Sequence, residues 1–336
     1  DPNMRYSVTL WFHGTGQANA RVHTGWVDMG TFLTNSNASS SGGSTTSWQT
    51  LDYPPRYPLP QGTWTGAVFC MWIDAWDNQV ENVWIDDVSV ELIPTSEIVL
   101  QMWVYLGGCF VSTETPMHDQ LGLAGLIPPS EPYTAFGYAQ FGGGGETCMP
   151  GLLDQSIYDD AVDWVRIELR SANNPSQIVA TRQAMVDRIG RVRGMNGGRY
   201  HRLSVAAGNY FVAVRHRNHL GAMTSAAVSF TNVQGAWPVV DFRTASTATW
   251  GTNARNPVDA THMLLWPGNT SGDGMIKYTG SANDRDPILT AVGSTTPSNA
   301  VTGYFRTDVN MNGVTKYTGT ANDRDPILLN VGSTTP

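Results

Sequence analysis

Alternating apolar and polar residues, the pattern of half-buried β-strands, recur along most of the chain. In the first part this pattern predicts strands at 5–12, 20–27, 47–51, 64–72 and 82–92, with a Ser-, Gly- and Asn-rich loop at 35–46. After a boundary at Pro94 the pattern resumes and predicts strands at 99–106, 161–170, 178–187, 201–205, 210–215 and 226–230. The sequence is therefore predicted to be mainly β, with two β-sandwich modules.

Length and charge narrow the range of functions. A chain of 336 residues is too long for one ordinary core, so two or three domains are expected. The net charge of −8 argues against a nucleic-acid surface, which needs a basic stripe. No apolar run approaches the ~20 residues that cross a bilayer, so we expect no membrane span.

A repeated segment ends the chain. Residues 269–297 recur almost unchanged at 308–336, a spacing of 39 (308 minus 269). Together with the strand pattern, this predicts a first module at 1–95, a second at 98–245, a linker at 246–262 and two tandem repeats with short helices at 263–336.

The second repeat opens like an EF-hand calcium loop. Asp308, Asn310 and Asn312 supply side-chain oxygens at positions one, three and five, and Gly313 occupies position six. Alternate side chains of a tight loop point inward at one hard cation, and Gly adopts the left-handed conformation that turns the chain. Val314 is expected to contribute its backbone carbonyl.

An insertion at 315–321 delays the acid that closes such a loop. Asn322 is the expected N-cap of a short helix and a water-mediated ligand, and Asp325, three residues further on, is the expected closing ligand. Asp323 is a weaker alternative for the same role.

The first repeat supplies an equivalent ligand set and is expected to bind calcium less tightly, since it opens on Asn and Ser. Its predicted ligands are Asn269, Ser271, Asp273, the Met275 carbonyl, Asn283 and Asp286, with Gly274 at the turn. The alternative is a pair of Asn/Gly turns that cap short helices without metal.

The block 308–328 resembles the dockerin-like repeats of large secreted Bacteroidota proteins. Segments 126–133, 142–147, 162–170 and 214–221 are also similar to those proteins. Many of them are described as haemagglutinin-like or adhesin-like and leave the cell by type IX secretion. The resemblance implies a calcium-binding, secreted cell-surface protein. Asn269 departs from the acid that the pattern favours.

Residues 1–95 resemble the C-terminal part of a carbohydrate-binding-module jelly roll, through segments 6–16, 59–64 and 83–92. Sugars stack on exposed aromatic rings, so Trp48 and Trp76 are candidate glycan platforms, with a plain core as the alternative. Because the early strands of a jelly roll are missing, a preceding segment or a neighbouring subunit must cover an open edge. Self-association into a filament or sheath is one such arrangement.

Three further features offer chemistry. Cys109 and Cys148 lie in Gly-rich loops, and a disulfide between them is expected, with two free thiols as the alternative. His216 and His219 suggest a metal site, but residues three apart in a strand face opposite sides, so a structural turn with hydrogen-bonded imidazoles is favoured. Asp163 near Glu168 resembles a glycosidase acid pair, which charged positions on a solvent-facing strand explain equally well.

These patterns predict a non-enzymatic extracellular protein of structural or adhesin-like type, stabilised by calcium, with no catalytic residues. The alternative is the carbohydrate-binding accessory region of a secreted glycoside hydrolase or protease. A third possibility is that the repeats are true dockerins that recruit a cohesin partner, which the insertion after Gly313 makes less favoured.

Overall fold

The computed structural model describes residues 97–113, 116–153, 161–231 and 237–332, and for residues 4–94 it describes the backbone of six strands. Strands far outnumber helices in these residues, so the prediction of a mainly β protein is confirmed.

The six N-terminal strands form two antiparallel three-stranded sheets. Their bounds are β1 Met4–Gly14, β2 Asn19–Asp28, β3 Thr31–Ser41, β4 Gln49–Arg56, β5 Val68–Trp76 and β6 Val83–Pro94. One sheet has the order β4-β1-β6 and the other the order β3-β2-β5. The loop expected at 35–46 is wrong over most of its length, because β3 pairs with β2 through Ser41. Trp48 lies outside the described residues, and only the strand backbone of Trp76 is described.

The next region contains nine strands in two sheets. The strands are β7 Ile98–Trp103, β8 Ala161–Ser171, β9 Asn174–Asp187, β10 Val192–Arg193, β11 His201–Leu203, β12 Gly208–Arg215, β13 Ala222–Met223, β14 Val228–Phe230 and β15 Val239–Asp241. The larger sheet is antiparallel, with the order β10-β9-β8-β12-β13 and with β14 also paired to β12. The smaller sheet has the order β11-β7-β15.

The central strand β8 is covered on both faces. Its first nine residues are buried, including the charged side chains of Asp163, Arg166 and Glu168. The prediction that these charges lie on a solvent-facing strand is therefore wrong. Each of them is satisfied by partners inside the protein, as buried charges require.

The C-terminal part contains short strands and the two predicted short helices. Its elements are β16 Asn256–Pro257, β17 Met263–Leu264, α2 Arg285–Ala291, β18 Ala300–Thr302, β19 Val314–Lys316 and α3 Arg324–Asn330. A further helical turn, α1 Gln120–Leu123, and a 3-10 turn at Pro150–Leu153 occur earlier. No helix among the described residues is both long and apolar enough to cross a bilayer.

The repeats pack against the second module. One hydrophobic cluster joins Ile98 and Trp164 to Leu265 and to Met311 of the second repeat. The intervening residues 246–262, expected as a linker, also make tertiary contacts. Arg255 is buried and donates to the carbonyls of Phe242, Thr244 and Thr247. The repeats are therefore held against the sheets.

Candidate functional site

The opening of the second repeat forms a tight loop around the carboxylate of Asp308. This carboxylate is buried, and it accepts hydrogen bonds from the backbone N–H groups of Asn312 (3.1 Å) and Gly313 (2.9 Å). Gly313 has φ +84°, as the position-six turn requires. A Cβ there would also lie 2.7 Å from Leu126 Cδ1.

The other predicted ligands of this loop follow the same pattern. Asn310 Oδ1 accepts from the N–H of Asn312 (3.1 Å), and Asn312 Oδ1 accepts from the N–H of Val314 (2.8 Å). Met311 between them has φ +58°, a conformation that non-Gly residues seldom adopt. Val314 begins β19 and pairs with Thr302 of β18.

The acid that contacts the loop is Asp323, not Asp325. Its Oδ1 accepts from the N–H of Val309 (2.6 Å) and Asn310 (3.2 Å), and its Oδ2 accepts from the N–H of Lys316 (2.7 Å). Asp323 therefore binds the loop backbone, and the choice of Asp325 as the closing metal ligand stays a prediction. Asp323 is completely buried.

Asp325 is instead occupied at the start of α3. Asn322 Oδ1 accepts from the N–H of Asp325 (3.0 Å), and Asn322 Nδ2 donates to Asp325 Oδ2 (2.7 Å). This reciprocal pair resembles a capping box. The N-cap residue of α3 is Asp323, so Asn322, the expected N-cap, lies one residue before it. The outer face of the same pair lines a cleft of about 520 Å³, which Asn310 and Asn312 also line.

The electrostatics of the second loop suit a cation. Burial is the main reason why the pKa of Asp323 rises to about 7, and the nearby negative charge of Asp308 raises it as well. Burial also raises the pKa of Asp308, against the lowering effect of Arg217. A divalent cation bound beside these two carboxylates would offset part of the cost of burying them in the ionised form. The donor set of carboxylate and amide oxygens is the set that Ca²⁺ prefers.

The first repeat has the same framework with weaker features. Asn269 is buried and its Oδ1 accepts from the N–H of Gly274 (3.2 Å). Ser271 Oγ accepts from the N–H of Asp273 (3.4 Å). Asp284, the equivalent of Asp323, accepts from the N–H groups of Ser271 and Lys277. Asn283 and Asp286 form the same reciprocal pair as Asn322 and Asp325 in the second repeat.

Two cations already lie close to the first loop. Lys277 Nζ is 3.7 Å from Asp273 Oδ2. The guanidinium of Arg306 packs so tightly on Gly272 that it leaves no space for a Cβ there. The side chain of Met275, whose carbonyl is the predicted ligand, is about half exposed, with an exposed fraction of 49%. Weaker calcium binding by the first loop stays a prediction.

Neither loop depends on a cluster of strong metal ligands. Among the described residues, no three His, Cys, Asp or Glu side chains lie together as a metal group. The predicted sets rely mainly on amide, hydroxyl and carbonyl oxygens.

Sequence reasoning underestimated a buried polar cluster behind the second loop, here called the hub: Asp163, His216, Arg217, Asn218, His219 and Tyr304. Asp163 accepts four hydrogen bonds, from Trp164 N (2.7 Å), His216 Nε2 (3.0 Å), Arg217 Nε (2.9 Å) and Tyr304 Oη (2.6 Å). Burial opposes ionisation of Asp163, yet Arg217 and the other donors bring its pKa down to about 2.

The hydrogen bonds of the hub fix the protonation of both imidazoles. The N–H of Gly108 donates to His219 Nε2 (2.9 Å), so the proton of a neutral His219 sits on Nδ1. That proton has two acceptors, Asn218 Oδ1 and His216 Nδ1, each at 2.8 Å, and the proton of His216 sits on Nε2, toward Asp163. The two rings meet edge to face, 4.6 Å apart. The expectation that His216 and His219 face opposite sides of a strand was wrong, because β12 ends at Arg215, before both residues. The predicted hydrogen bond between the two imidazoles is confirmed.

The hub also holds the first residue of each repeat. Asn218 Nδ2 donates to the carbonyl of Asp308 (2.6 Å). The carbonyl of Asn218 accepts from the N–H groups of Gly268 and Asn269, both at 2.9 Å. Arg217 donates to the carbonyl of Phe305 and lies over the ring of Tyr304. Asn218 therefore connects both loops to the sheet, the second loop through its side chain and the first loop through its backbone carbonyl.

The two acids considered as a glycosidase pair do not form one. Asp163 and Glu168 are five residues apart on β8 and so face opposite sides of the strand. Glu168 is buried and bound by Arg166 (3.0 Å) and Arg170 (2.6 Å). Each acid therefore has a separate structural partner set.

The expected disulfide is wrong, because Cys109 and Cys148 are both free thiols in buried positions. Each Sγ is directed at a different carbonyl, Cys109 at Leu106 (3.5 Å) and Cys148 at Pro129 (3.3 Å). Burial raises the pKa of the Cys148 thiol to about 11 and raises that of Cys109 strongly, so both stay protonated.

The chain was compared with models of known protein families, with curated proteins and with solved structures. No family model matches it, and no curated protein or solved structure does either.

Proposed function

We propose that this protein is a non-enzymatic, extracellular structural or adhesin-like surface component whose C-terminal repeats are stabilised by calcium. The observation that carries the proposal is the second loop: the side-chain oxygens of Asp308, Asn310 and Asn312 lie along one turn, and the carboxylate of Asp323 binds the backbone of the same loop. The two buried acids leave this loop short of positive charge. Calcium would supply that charge and stiffen the loop.

The hub gives the calcium loops a mechanical role in this proposal. Asn218 binds the start of both repeats, and Arg217 and His216 bind Asp163 on the central strand β8. A calcium ion in the second loop would therefore stiffen the repeats and also the contact between the repeats and the sheet. Calcium is abundant outside the cell, so a calcium-stabilised contact between the repeats and the sheet suits an extracellular protein.

The test is calcium titration by isothermal calorimetry, with thermal melting in calcium and in chelator. A ligand at about 100 times its Kd stabilises the folded state by about 2.7 kcal/mol. We expect wild-type protein to gain stability in calcium, and Asp308→Asn to lose most of that gain. Asp259→Asn, which alters a carboxylate outside both loops, is the matched control. Equal melting curves in calcium and chelator for the wild type would refute the proposal.

A further inference from the structure

The two imidazoles of the hub have no position at which either ring could take up a further proton. His219 Nε2 accepts from the N–H of Gly108 (2.9 Å), and the proton on His219 Nδ1 lies between Asn218 Oδ1 and His216 Nδ1, each at 2.8 Å. His216 Nε2 donates to Asp163 (3.0 Å). A proton added to His219 Nε2 or to His216 Nδ1 would therefore face another N–H group at hydrogen-bond distance. Either ring can be protonated only if it moves.

The charges around the two rings provide no counter-ion for a second cation. His216 and His219 are buried, and the carboxylate of Asp163 on β8 already binds the guanidinium of Arg217 (2.9 Å). Asp308 is bound by backbone N–H groups of its own loop. The other titratable groups nearby are neutral, because burial raises the pKa of each: Cys109, Tyr133 and Tyr304. Burial is also the main reason why the pKa values of both histidines are lowered.

The turn that carries these rings also carries the contacts between the sheet and the repeats. Asn218 lies between the two histidines in the chain, and its Oδ1 accepts from His219 Nδ1. Its Nδ2 donates to the carbonyl of Asp308, and its own carbonyl accepts from the N–H groups of Gly268 and Asn269. A ring that leaves the hub therefore displaces the residue that holds the start of both repeats.

The larger sheet has interactions that do not involve this turn. Its central strand β8 pairs with β9 and with β12 through backbone hydrogen bonds. The same strand buries the apolar side chains of Val165, Ile167 and Leu169. Neither kind of interaction contains a group that acid titrates. Movement of the turn should therefore affect the repeats before it affects the sheet.

We propose that the hub is an acid-sensitive contact: when protons bind His216 and His219, the start of each repeat detaches from the sheet while the sheet stays folded. The inference goes beyond the proposed function, because it requires no calcium in either loop. A detached histidine binds a proton near its ordinary pKa of about 6.5, whereas the attached one does not, so detachment is favoured as the pH falls below about 6.5. At about pH 5 each histidine favours detachment by about thirtyfold.

Two carboxylates of the second loop act in the opposite direction. Burial raises the pKa values of Asp308 and Asp323, so these acids bind a proton more readily in the buried state than in an open one. The experiment therefore compares variants in which both acids are unchanged. It is carried out in chelator, so that calcium binding plays no part.

The assay is hydrogen–deuterium exchange of single backbone amides, followed by NMR at about pH 7.5 and about pH 5 and corrected for the pH dependence of the chemical exchange step. In the wild type, the amides of Gly108, Gly268 and Asn269 should lose protection by about thirtyfold or more at the lower pH, while the amides of β8 should not. His216→Gln removes one titrating ring, and its amide can still donate to Asp163. This variant should reduce the acid-induced loss by about tenfold or more.

The matched control is His262→Gln, which removes an imidazole that pairs with Asp259 outside the hub. It should show the same loss of protection as the wild type. The imidazole signals of the wild type give a test that needs no variant. His216 and His219 should take up protons only over the pH range in which the amides of Gly268 and Asn269 lose protection.

Four results would overturn the acid-sensitive contact: imidazoles that titrate while these amides stay protected, unchanged protection of the amides at low pH, an equal loss in β8, or the same loss in His216→Gln as in the wild type. None of these measurements involves calcium. The calcium proposal is tested separately by the melting curves in calcium and chelator, so the failure of one proposal is distinguishable from the failure of the other.

Discussion

Replacing Asp163 by Asn removes the negative charge at the centre of the hub while preserving the size of the side chain. Asp163 is completely buried and accepts from Trp164, His216, Arg217 and Tyr304 at 2.6–3.0 Å. The amide introduced by this substitution would offer two N–H donors where His216 and Arg217 also donate. The Arg217 guanidinium would then be a buried charge without a counter-ion.

The structure sets the expected magnitude. Breaking a buried ion pair by removing one partner costs about 3–5 kcal/mol. The depressed pKa of Asp163, about 2 against an ordinary value of 3.8, indicates a net stabilisation of its ionised form by about 2–3 kcal/mol at neutral pH. The two figures agree in order of magnitude, so we expect Asp163→Asn to lower the free energy of unfolding by about 3–5 kcal/mol.

The assay is equilibrium unfolding in denaturant, with the midpoint and slope compared between variants. Asp241→Asn is the matched control, since it removes an acid from the half-buried pair with Arg243 (2.8 Å). Such a pair contributes about 0–1 kcal/mol. A loss below about 1 kcal/mol in Asp163→Asn, no larger than in the control, would refute the account of the hub.

Three further predictions follow from burial. His201 is fully buried, and its pKa in the folded chain is lowered to about 4. As the pH drops, the unfolded chain therefore binds a proton at this histidine before the folded chain does, and the free energy of unfolding falls between about pH 6.5 and 4. Wild type should therefore lose about 1.5 kcal/mol more than His201→Gln between about pH 6.5 and 5 in denaturant titrations, and parallel pH profiles would contradict this. In melting experiments Asp323→Asn should lower the free energy of unfolding by about 2 kcal/mol, because it disturbs the backbone hydrogen bonds that the Asp323 carboxylate accepts. Asp325→Asn, at an exposed helix start, should lower it by less than about 1 kcal/mol. A larger loss for Asp325→Asn than for Asp323→Asn would contradict the assignment of Asp323 as the acid that binds the loop backbone. Alkylation without reductant should label Cys109 and Cys148 only after unfolding, and a disulfide-linked peptide pair would argue against the structure.

Element types were predicted well from the sequence because strand alternation and helix caps are local signals. The short helices α2 and α3 occur in the two repeats as expected, with Asp284 and Asp323 as their N-cap residues, and most strands lie within a few residues of their predicted bounds. The segment 35–41 was wrongly predicted as part of a loop because its Ser and Asn residues are typical of loops, while pairing with β2 determines its conformation.

The hub could not be predicted because its residues come from distant parts of the chain. Asp163 and His216 are 53 positions apart, and Tyr304 is 141 positions from Asp163. The charged residues of β8 were predicted to face solvent because the alternation of apolar and polar residues carries no information about what covers each face of the strand. Asp325 was preferred over Asp323 by analogy with an ordinary EF-hand, whereas the reciprocal pair with Asn322 occupies Asp325.

Some sequence segments noted separately meet in space. Tyr133 Oη donates to the carbonyl of Trp164 (2.8 Å), and Trp164 Nε1 donates to the carbonyl of Pro128 (2.8 Å). Glu131 accepts from the N–H of Gly145 (3.1 Å), which anchors the Gly-rich loop. Segments 126–133, 142–147 and 162–170, which composition alone did not connect, are therefore joined by hydrogen bonds in the folded protein.

A crystal structure determined with calcium present tests the central claim most directly. We expect an ion in the second loop, at about 2.3–2.6 Å from oxygens of Asp308, Asn310 and Asn312, and a weaker peak in the first loop near Asn269. Anomalous scattering would identify the ion as calcium. A second loop without an ion at saturating calcium, with the Asp308 carboxylate still bound only by backbone N–H groups, would contradict the account.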